Sequence, residues 1–363
     1  MKYYIISGEQ SGDMHAANLV AAIRKKDSNA DFRAWGGDQL KAEGVQLVKH
    51  IKDLAFMGFW EVLINFPTIL KNIAFCKTDL LSFSPDALIL VDYPGFNFRI
   101  AKFAKQKGIK VFYYISPQIW AWKKSRINQI RKYVDRMFVI LPFEKKFYQE
   151  NSFEVDFVGH PLLDEIGKDN FSFSIKLDKE IIALLPGSRK QEIQKMLPQM
   201  LSIVDDFPHY QFVVATTNTV EGNFYKEIIG SRNVLFVKDE TYGLLKNAKA
   251  ALVTSGTATL ETALFNVPQI VCYKTNLTSF QIAKRLVKTK FISLVNIIMD
   301  KLVVKELIQS QLNARNLKSS LVEILEKNNY NQMQQDYKDL KVKLGDAGAS
   351  NRLAQFIVED ISK

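Results

Sequence analysis

Cysteine is almost missing from this chain: Cys76 and Cys272 are two residues in 363, far apart in sequence. Neither belongs to a Cys-x-x-Cys pair, which argues against a disulfide scaffold or a zinc cluster and fits a reducing cytoplasm. Long apolar runs are missing too. No stretch of about 18 uninterrupted apolar residues occurs, so no transmembrane helix is expected. Met1-Lys2-Tyr3-Tyr4-Ile5-Ile6 turns polar at once, is too short for a signal peptide and reads as a first strand. There is no Gly-x-Gly-x-x-Gly, so a dinucleotide fingerprint is not supported. There is no Asp-x-Asp either, so a metal bridge to a diphosphate lacks evident ligands, and neither metal nor cofactor is expected.

What is present is an ordinary globular composition, 47% hydrophobic and 24% charged, in a chain longer than one core usually spans. The net charge of +11 is concentrated. Between Arg99 and Lys146 stand thirteen basic residues and two acidic ones, Asp135 and Glu144, an excess as large as that of the whole chain. Such a block attracts nucleic acid, a phosphorylated substrate or an anionic membrane; the plainer reading is a solvated surface.

Apolar runs of strand length alternate with helical periodicity. Strands are expected at 2–6, 32–36, 86–92, 110–115, 136–141 and 155–158. The polar, irregular stretch 166–179 reads as a linker, after which the pattern restarts with strands at 181–185, 212–215, 234–237, 250–253 and 269–273. Residues 303–363 read as helical, broken at Gly345 and Gly348. This alternation predicts an α/β protein of two doubly wound, Rossmann-like domains facing a cleft. The domains are 1–165 and 180–340, with 341–363 a last helix returning to the first.

Several loops carry chemistry. Thr254-Ser255-Gly256-Thr257-Ala258-Thr259-Leu260-Glu261 follows a buried strand and opens a helix, so its amides and the helix dipole favour a phosphate. A nucleotide diphosphate is expected on Ser255, Gly256, Thr257, Ala258 and Thr259, with its ribose near Glu261. The competing reading is a turn whose Ser and Thr cap their own helix. Gly187-Ser188-Arg189 is a second strand-to-helix loop in the same half, and Arg189 suits paired hydrogen bonds to phosphate. Asp92 ends a strand in the other half, a position that suits a general base, or a cap for a helix at 98–107. The loop Ser7–Asp13 is expected to precede a helix at 15–25. Residues 54–75 are apolar around most of a helical wheel, with Glu61, Asn65, Thr68 and Asn72 as one narrow polar stripe and Pro67 in the middle. Phe59, Trp60, Leu63, Ile64, Phe66 and Ile69 then face either a core or a bilayer interface. Trp120 and Trp122 beside Lys123 and Lys124 suit lipid headgroups, a sugar or a base. His160 holds a turn or binds a ligand.

Taken together, Ser7-Gly8-Glu9-x-Ser11-Gly12-Asp13, Asp92-x-Pro94-x-Phe96-Asn97, Ser116-Pro117-x-x-Trp120-Ala121-Trp122, Leu141-Pro142-Phe143-Glu144, Leu185-Pro186-Gly187-Ser188-Arg189, Ser255-Gly256-Thr257-Ala258-Thr259-Leu260-Glu261 and Leu294-x-Asn296 stand in order along nearly the whole chain. In this the chain resembles the lipid-A-disaccharide synthases, bacterial glycosyltransferases of the two-domain GT-B type. The resemblance implies metal-independent, inverting transfer from UDP-2,3-diacylglucosamine to 2,3-diacylglucosamine 1-phosphate on the cytoplasmic face of the inner membrane. It implies Asp92 as base, Glu9 and Ser11 in the acceptor-side loop, and Arg189, Glu261 and Asn296 at the UDP site, where Ser188 is also expected from its loop. Many relatives carry a second acid where this chain has Gly95, which leaves Asp92 alone in its loop. The 54–75 segment becomes a dock for acyl chains or bilayer, and the basic block meets anionic lipid and the acceptor's 1-phosphate, not nucleic acid. Other readings are a muramyl-intermediate N-acetylglucosaminyltransferase, a UDP-sugar 2-epimerase or a non-catalytic binder of anionic membranes.

Overall fold

Runs rich in Ile, Val, Leu and Tyr form the strands of two separate sheets in the computed structural model, which describes residues 1–53, 66–122, 124–168, 171–176, 178–217, 220–276, 280–281, 284–285 and 289–363. The chain divides into two units, Met1–Asp164 with Asp346–Lys363, and Glu165–Gly345.

The first unit holds β1 (Lys2–Ser7), β2 (Asp31–Gly36), β3 (Gln46–His50), β4 (Ala87–Val91), β5 (Lys110–Tyr114), β6 (Arg136–Val139) and β7 (Asp156–Phe157). They run parallel in the order β3-β2-β1-β4-β5-β6-β7. β1 and β4 are buried along nearly their whole length, as a parallel sheet covered by helices on both faces requires. The strand order reverses between them, with Ser7 beside Val91, so the loops after β1 and β4 emerge together. Open α/β sheets bind ligands at such a switch point.

The second unit repeats the plan with β8 (Ile181–Leu185), β9 (Gln211–Thr216), β10 (Val234–Lys238), β11 (Ala248–Thr254), β12 (Gln269–Tyr273) and β13 (Lys305–Ile308), parallel in the order β10-β9-β8-β11-β12-β13. Its reversal lies between β8 and β11, where Leu185 pairs with Val253.

Helix Ala349–Ile361 completes the first unit. It packs on helix Gln10–Arg24 and buries Leu353, Ala354 and Ile357 in a core with Ala16, Leu19, Val20 and Ile23. The Asp164 carboxylate accepts from the amides of Gly348, Ala349 and Ser350 at that helix's start. Arg352 donates to the carbonyls of Val158, Asp346 and Ala347 at 2.9, 2.7 and 2.8 Å.

Four local expectations need correction or placement. The first helix begins at Gln10 rather than at residue 15. Asp13 lies in its first turn, donates its amide to Glu9 O at 2.9 Å, and turns its carboxylate to the start of helix Asp38–Ala42. Residues 305–308 are the edge strand β13, not helix, because pairing with β12 outweighs the local pattern. The helix after β4 starts at Pro94 rather than at residue 98, with Tyr93 as its N-cap, so Asp92 does not cap it. Of the 54–75 segment, Phe59, Trp60, Leu63 and Ile64 lie outside the described residues. Phe66 opens helix Phe66–Phe83, Ile69 packs half-buried against the first unit's core, and Leu70 and Phe75 are 48% and 50% exposed. Among the described residues no helix is long and apolar enough to cross a membrane. Cys76 and Cys272 are both free and buried.

Candidate functional site

In the first unit the switch-point loops interlock. Gly8 follows β1, and a methyl group there would fall on the ring of Tyr93, which follows β4; only glycine lets the loops approach this closely. Asp92 and Tyr93 are successive left-handed residues, at φ 45° and 46°. For non-glycine residues this conformation is costly and persists only where the surroundings hold it. Here they do. The Asp92 amide donates to Tyr114 O at 3.1 Å. Its carbonyl accepts from the Tyr113 hydroxyl at 2.6 Å and from Asn97 Nδ2 at 2.7 Å. The backbone bonds are thus spent inside the fold, and the residue is half-buried. Burial first, and the Glu9 carboxylate second, push the Asp92 carboxyl up to about 6. Asp92 is alone in its own loop, but Glu9 from the β1 loop is an acidic neighbour. Ser11 is exposed in the first turn of helix Gln10–Arg24.

His160 is buried, its imidazole driven down to about 3 by burial and then by His15, and its Nδ1 accepts from Leu162 N at 3.3 Å. It is therefore neutral near pH 7 and holds the turn after β7. Trp120 is half-buried, its ring meeting Phe143 edge-on at 4.9 Å.

In the second unit, helix Thr257–Leu264 starts without a side-chain cap, and its N-cap residue is Gly256. The self-capping alternative fails because the candidate side chains are engaged elsewhere. Ser255 Oγ donates to Ile292 O at 3.0 Å, and Thr259 Oγ1 donates back to Gly256 O at 2.8 Å. Thr259 N is bonded to Gly256 O, which leaves the amides of Gly256, Thr257 and Ala258 ahead of the first turn, where helix N–H groups have no partner within the helix. Gly256 and Thr257 are exposed and Ala258 half-buried. Glu261 accepts from Tyr242 OH at 3.0 Å through Oε1, and burial raises its carboxyl pKa.

The neighbouring β8 loop is shaped by Glu192. Its carboxylate accepts from Ser188 N at 3.3 Å and from Arg189 Nη1 at 3.4 Å. Gly187 sits at φ 108°, and a side chain there would strike Glu192. Ser188 and Arg189 are exposed. Asn296, expected at the UDP site, has its side chain engaged within the fold. It is fully buried: Nδ2 donates to Val304 O and Glu306 Oε1, and Oδ1 accepts from the amides of Val303 and Val304. Its amide is spent inside the protein, so it acts as a brace. Glu306 also takes the amides of Ile292 and Ser293, tying that segment beside Ser255.

Glu9 as neighbour of Asp92, Tyr113 beneath it, Tyr242 on Glu261 and Glu192 under the β8 loop were not singled out from sequence for these roles. The first had a usable signal, since the loops after β1 and β4 meet in any sheet of this strand order. The others depend on contacts between distant segments.

The family model described as lipid-A-disaccharide synthetase matches residues 3–360. A lipid-A-disaccharide synthase of Syntrophus aciditrophicus (strain SB) is 39% identical over 373 residues, covering 99% of this chain and 97% of that protein. One from Trichlorobacter lovleyi is 36% identical over 372 residues, with the same two coverages of 99% and 97%. Among solved structures, UDP-GlcNAc 2-epimerase from Neisseria meningitidis bound to UDP-GlcNAc has a TM-score of 0.71 at 14% identity, covering 99% of this chain and 100% of that one. The glycotransferase of kitacinnamycin has a TM-score of 0.70 at 12% identity, covering 99% of each. At these identities the structural likeness concerns fold alone, and that fold is the GT-B type.

Proposed function

The chain belongs to the lipid-A-disaccharide synthetase family, and on that premise we propose how its residues share out the reaction. It is a glycosyltransferase that forms the lipid A disaccharide. The donor is UDP-2,3-diacylglucosamine and the acceptor 2,3-diacylglucosamine 1-phosphate. The acceptor's 6-oxygen bonds to the donor's anomeric carbon while the bond from that carbon to the diphosphate breaks, with inversion. Asp92 takes the proton of the attacking hydroxyl. The departing diphosphate is met by the amides of Gly256, Thr257 and Ala258 and by Arg189, which neutralise its charge without a metal. Glu261, one oxygen fixed by Tyr242, offers the other to the ribose. Ser188, Ser255, Thr259 and Asn296 shape these loops rather than bind the nucleotide through their side chains.

The observation that carries this reading is an uncapped helix end beside an arginine-bearing loop at the second unit's switch point. Each unit then has its chemical groups at the C-terminal ends of its two central strands. Exposed Leu70 and Phe75, in a unit that also carries the basic block, support a peripheral position on the anionic cytoplasmic face of the inner membrane.

The test is UDP release with diacylated donor and acceptor, set against the deacylated pair. Wild type is expected to turn over the diacylated pair. Asp92→Asn is expected to lose about 10²–10⁴-fold in kcat with UDP affinity unchanged. Near-normal turnover by that variant would remove Asp92 as the base.

A further inference from the structure

β5 pairs with β4, about 4.8 Å away as strands do, so the loop that follows β5 emerges beside the Asp92 loop. The two are tied directly, since Asp92 N donates to Tyr114 O at 3.1 Å. Ile115 is left-handed at φ 62°, an outlier for a β-branched residue, and joins Asp92 and Tyr93 as the third such residue at these two strand ends. Ser116, Pro117, Ile119 and Ala121 are buried and Trp120 is half-buried, while Gln118 is the one exposed residue from Ser116 to Ala121. Ile119 N donates to Pro117 O at 2.5 Å, closing a three-residue turn with Gln118 at its tip. We propose that Gln118 is a specificity residue for the acceptor sugar, its carboxamide bonding the 4-hydroxyl, and that Tyr148 is the positioning residue that holds its turn through Ser116.

The inference rests on the reading of Asp92 as the base for a 2,3-diacylglucosamine 1-phosphate acceptor. That sugar is phosphorylated at position 1 and acylated at 2 and 3. Its free hydroxyls are therefore the 6-hydroxyl that attacks and the 4-hydroxyl, on the ring carbon next to the one that bears carbon 6. Of the two loops flanking Asp92, the one after β1 brings a carboxylate, Glu9, and the one after β5 brings a neutral amide, Gln118. A carboxamide both donates and accepts, which matches a hydroxyl, and being uncharged it does not compete with Asp92 for the proton. The turn is also built to stay in one place. A left-handed Ile115 persists only where its surroundings over-determine it. Ile115 N donates to Phe138 O of β6 at 3.1 Å. Ser116 Oγ and the Tyr148 hydroxyl share a hydrogen bond of 2.5 Å, both groups buried. Tyr148 stands on helix Pro142–Glu150 together with the buried Glu144, whose Oε2 accepts from Leu141 N at 3.0 Å. Burial pushes the Glu144 carboxyl up to about 7, and its bonds to Leu141 and Ser116 pull the other way. A buried polar network of this kind specifies a single arrangement of the groups it joins. It grips the turn at Ser116, two residues before Gln118.

Kinetics on the full chain would compare 2,3-diacylglucosamine 1-phosphate with its 4-deoxy analogue, in wild type, Gln118→Ala and Tyr148→Phe. Wild type is expected to lose about 10-fold in kcat/KM when the 4-hydroxyl is removed. Gln118→Ala is expected to lose about as much on the natural acceptor, less than about twofold on the analogue, and nothing in donor KM, because the same contact is lost only once. Equal losses on both acceptors, or no loss on the natural one, would overturn the assignment of Gln118. Tyr148→Phe leaves Gln118 in place and is expected to lose about 3-fold to 10-fold on the natural acceptor alone. A merely structural tyrosine would lower turnover of both acceptors alike, and that result would remove Tyr148 as a positioning residue. Should Tyr148→Phe not fold, Ser116→Ala breaks the same bond from its other side and carries the same comparison. Titration of wild type with the soluble 2,3-diacetyl acceptor and its 4-deoxy analogue, followed at the Gln118 side-chain amide by NMR, tests the contact without turnover. A shift with the 4-hydroxylated sugar alone is expected, and an equal response to both would count against the contact. Absence of UDP release by wild type would sink the transferase reading, while this titration would still decide whether Gln118 reads the 4-hydroxyl.

Discussion

Asp92 keeps its carboxylate where water serves its charge poorly and where the neighbouring Glu9 opposes ionisation. With its pKa pushed up to about 6, it is mostly ionised at neutral pH yet basic enough to accept a proton there. Two consequences follow at this scale. In Glu9→Gln, the acid limb of the kcat/KM profile is expected to move to lower pH while staying above the ordinary aspartate range, because burial, the larger cause, remains. An unmoved limb would show that the two carboxylates are not coupled. The second concerns stability. A carboxyl whose pKa is raised in the folded state binds more protons folded than unfolded, so stability falls as pH rises between about 3.9 and about 6. Asp92→Asn removes that penalty. It is expected to stabilise the fold by up to about 3 kcal/mol at pH 8 and by almost nothing at pH 3, as read from denaturant midpoints.

At the level of elements, the central strands were legible because each is a short apolar run bounded by turn residues, as in Ile181–Leu185 before Pro186-Gly187. The loops proposed to bear chemistry stand out for the same reason: they follow those strands. What escaped were features decided by a distant partner. Lys305–Ile308 has no strong strand pattern and becomes a strand only beside Gln269–Tyr273. The bonds of the Asn296 side-chain amide to Val303, Val304 and Glu306 are likewise set by a segment its own stretch does not announce. The Asp13 carboxylate, in the first turn of helix Gln10–Arg24, reaches across to the amides of Gly37 and Gln39 at 2.6 and 2.9 Å and so caps helix Asp38–Ala42. Asp164 does comparable work for helix Ala349–Ile361. Asp164→Ala is expected to cost about 1–2 kcal/mol, with hydrogen exchange rising in that helix and in Gln10–Arg24 and unchanged in β8 and β11.

Across the whole molecule, charge is distributed less evenly than apolar surface. The block from Arg99 to Lys146 lies in the first unit, as do the exposed Leu70 and Phe75. Electrostatic attraction to an anionic bilayer acts over a Debye length, about 10 Å at 0.1 M salt and about 3 Å at 1 M, whereas apolar insertion is not screened. Vesicle pelleting is therefore expected to weaken strongly between these salt concentrations without vanishing. Complete loss at 1 M salt would leave Leu70 and Phe75 no part in it, and no change at all would remove the basic block.

The return of helix Ala349–Ile361 also sets an order on synthesis. The apolar strip of helix Gln10–Arg24 is covered by Leu353, Ala354 and Ile357, so a nascent chain that has already translated all of the second unit still presents that strip to solvent. Folding from the N-terminus cannot finish the first unit first. Its last wall arrives only after the whole second unit has been made, and until then the emerging chain carries a half-built domain whose open seam is suited to a chaperone.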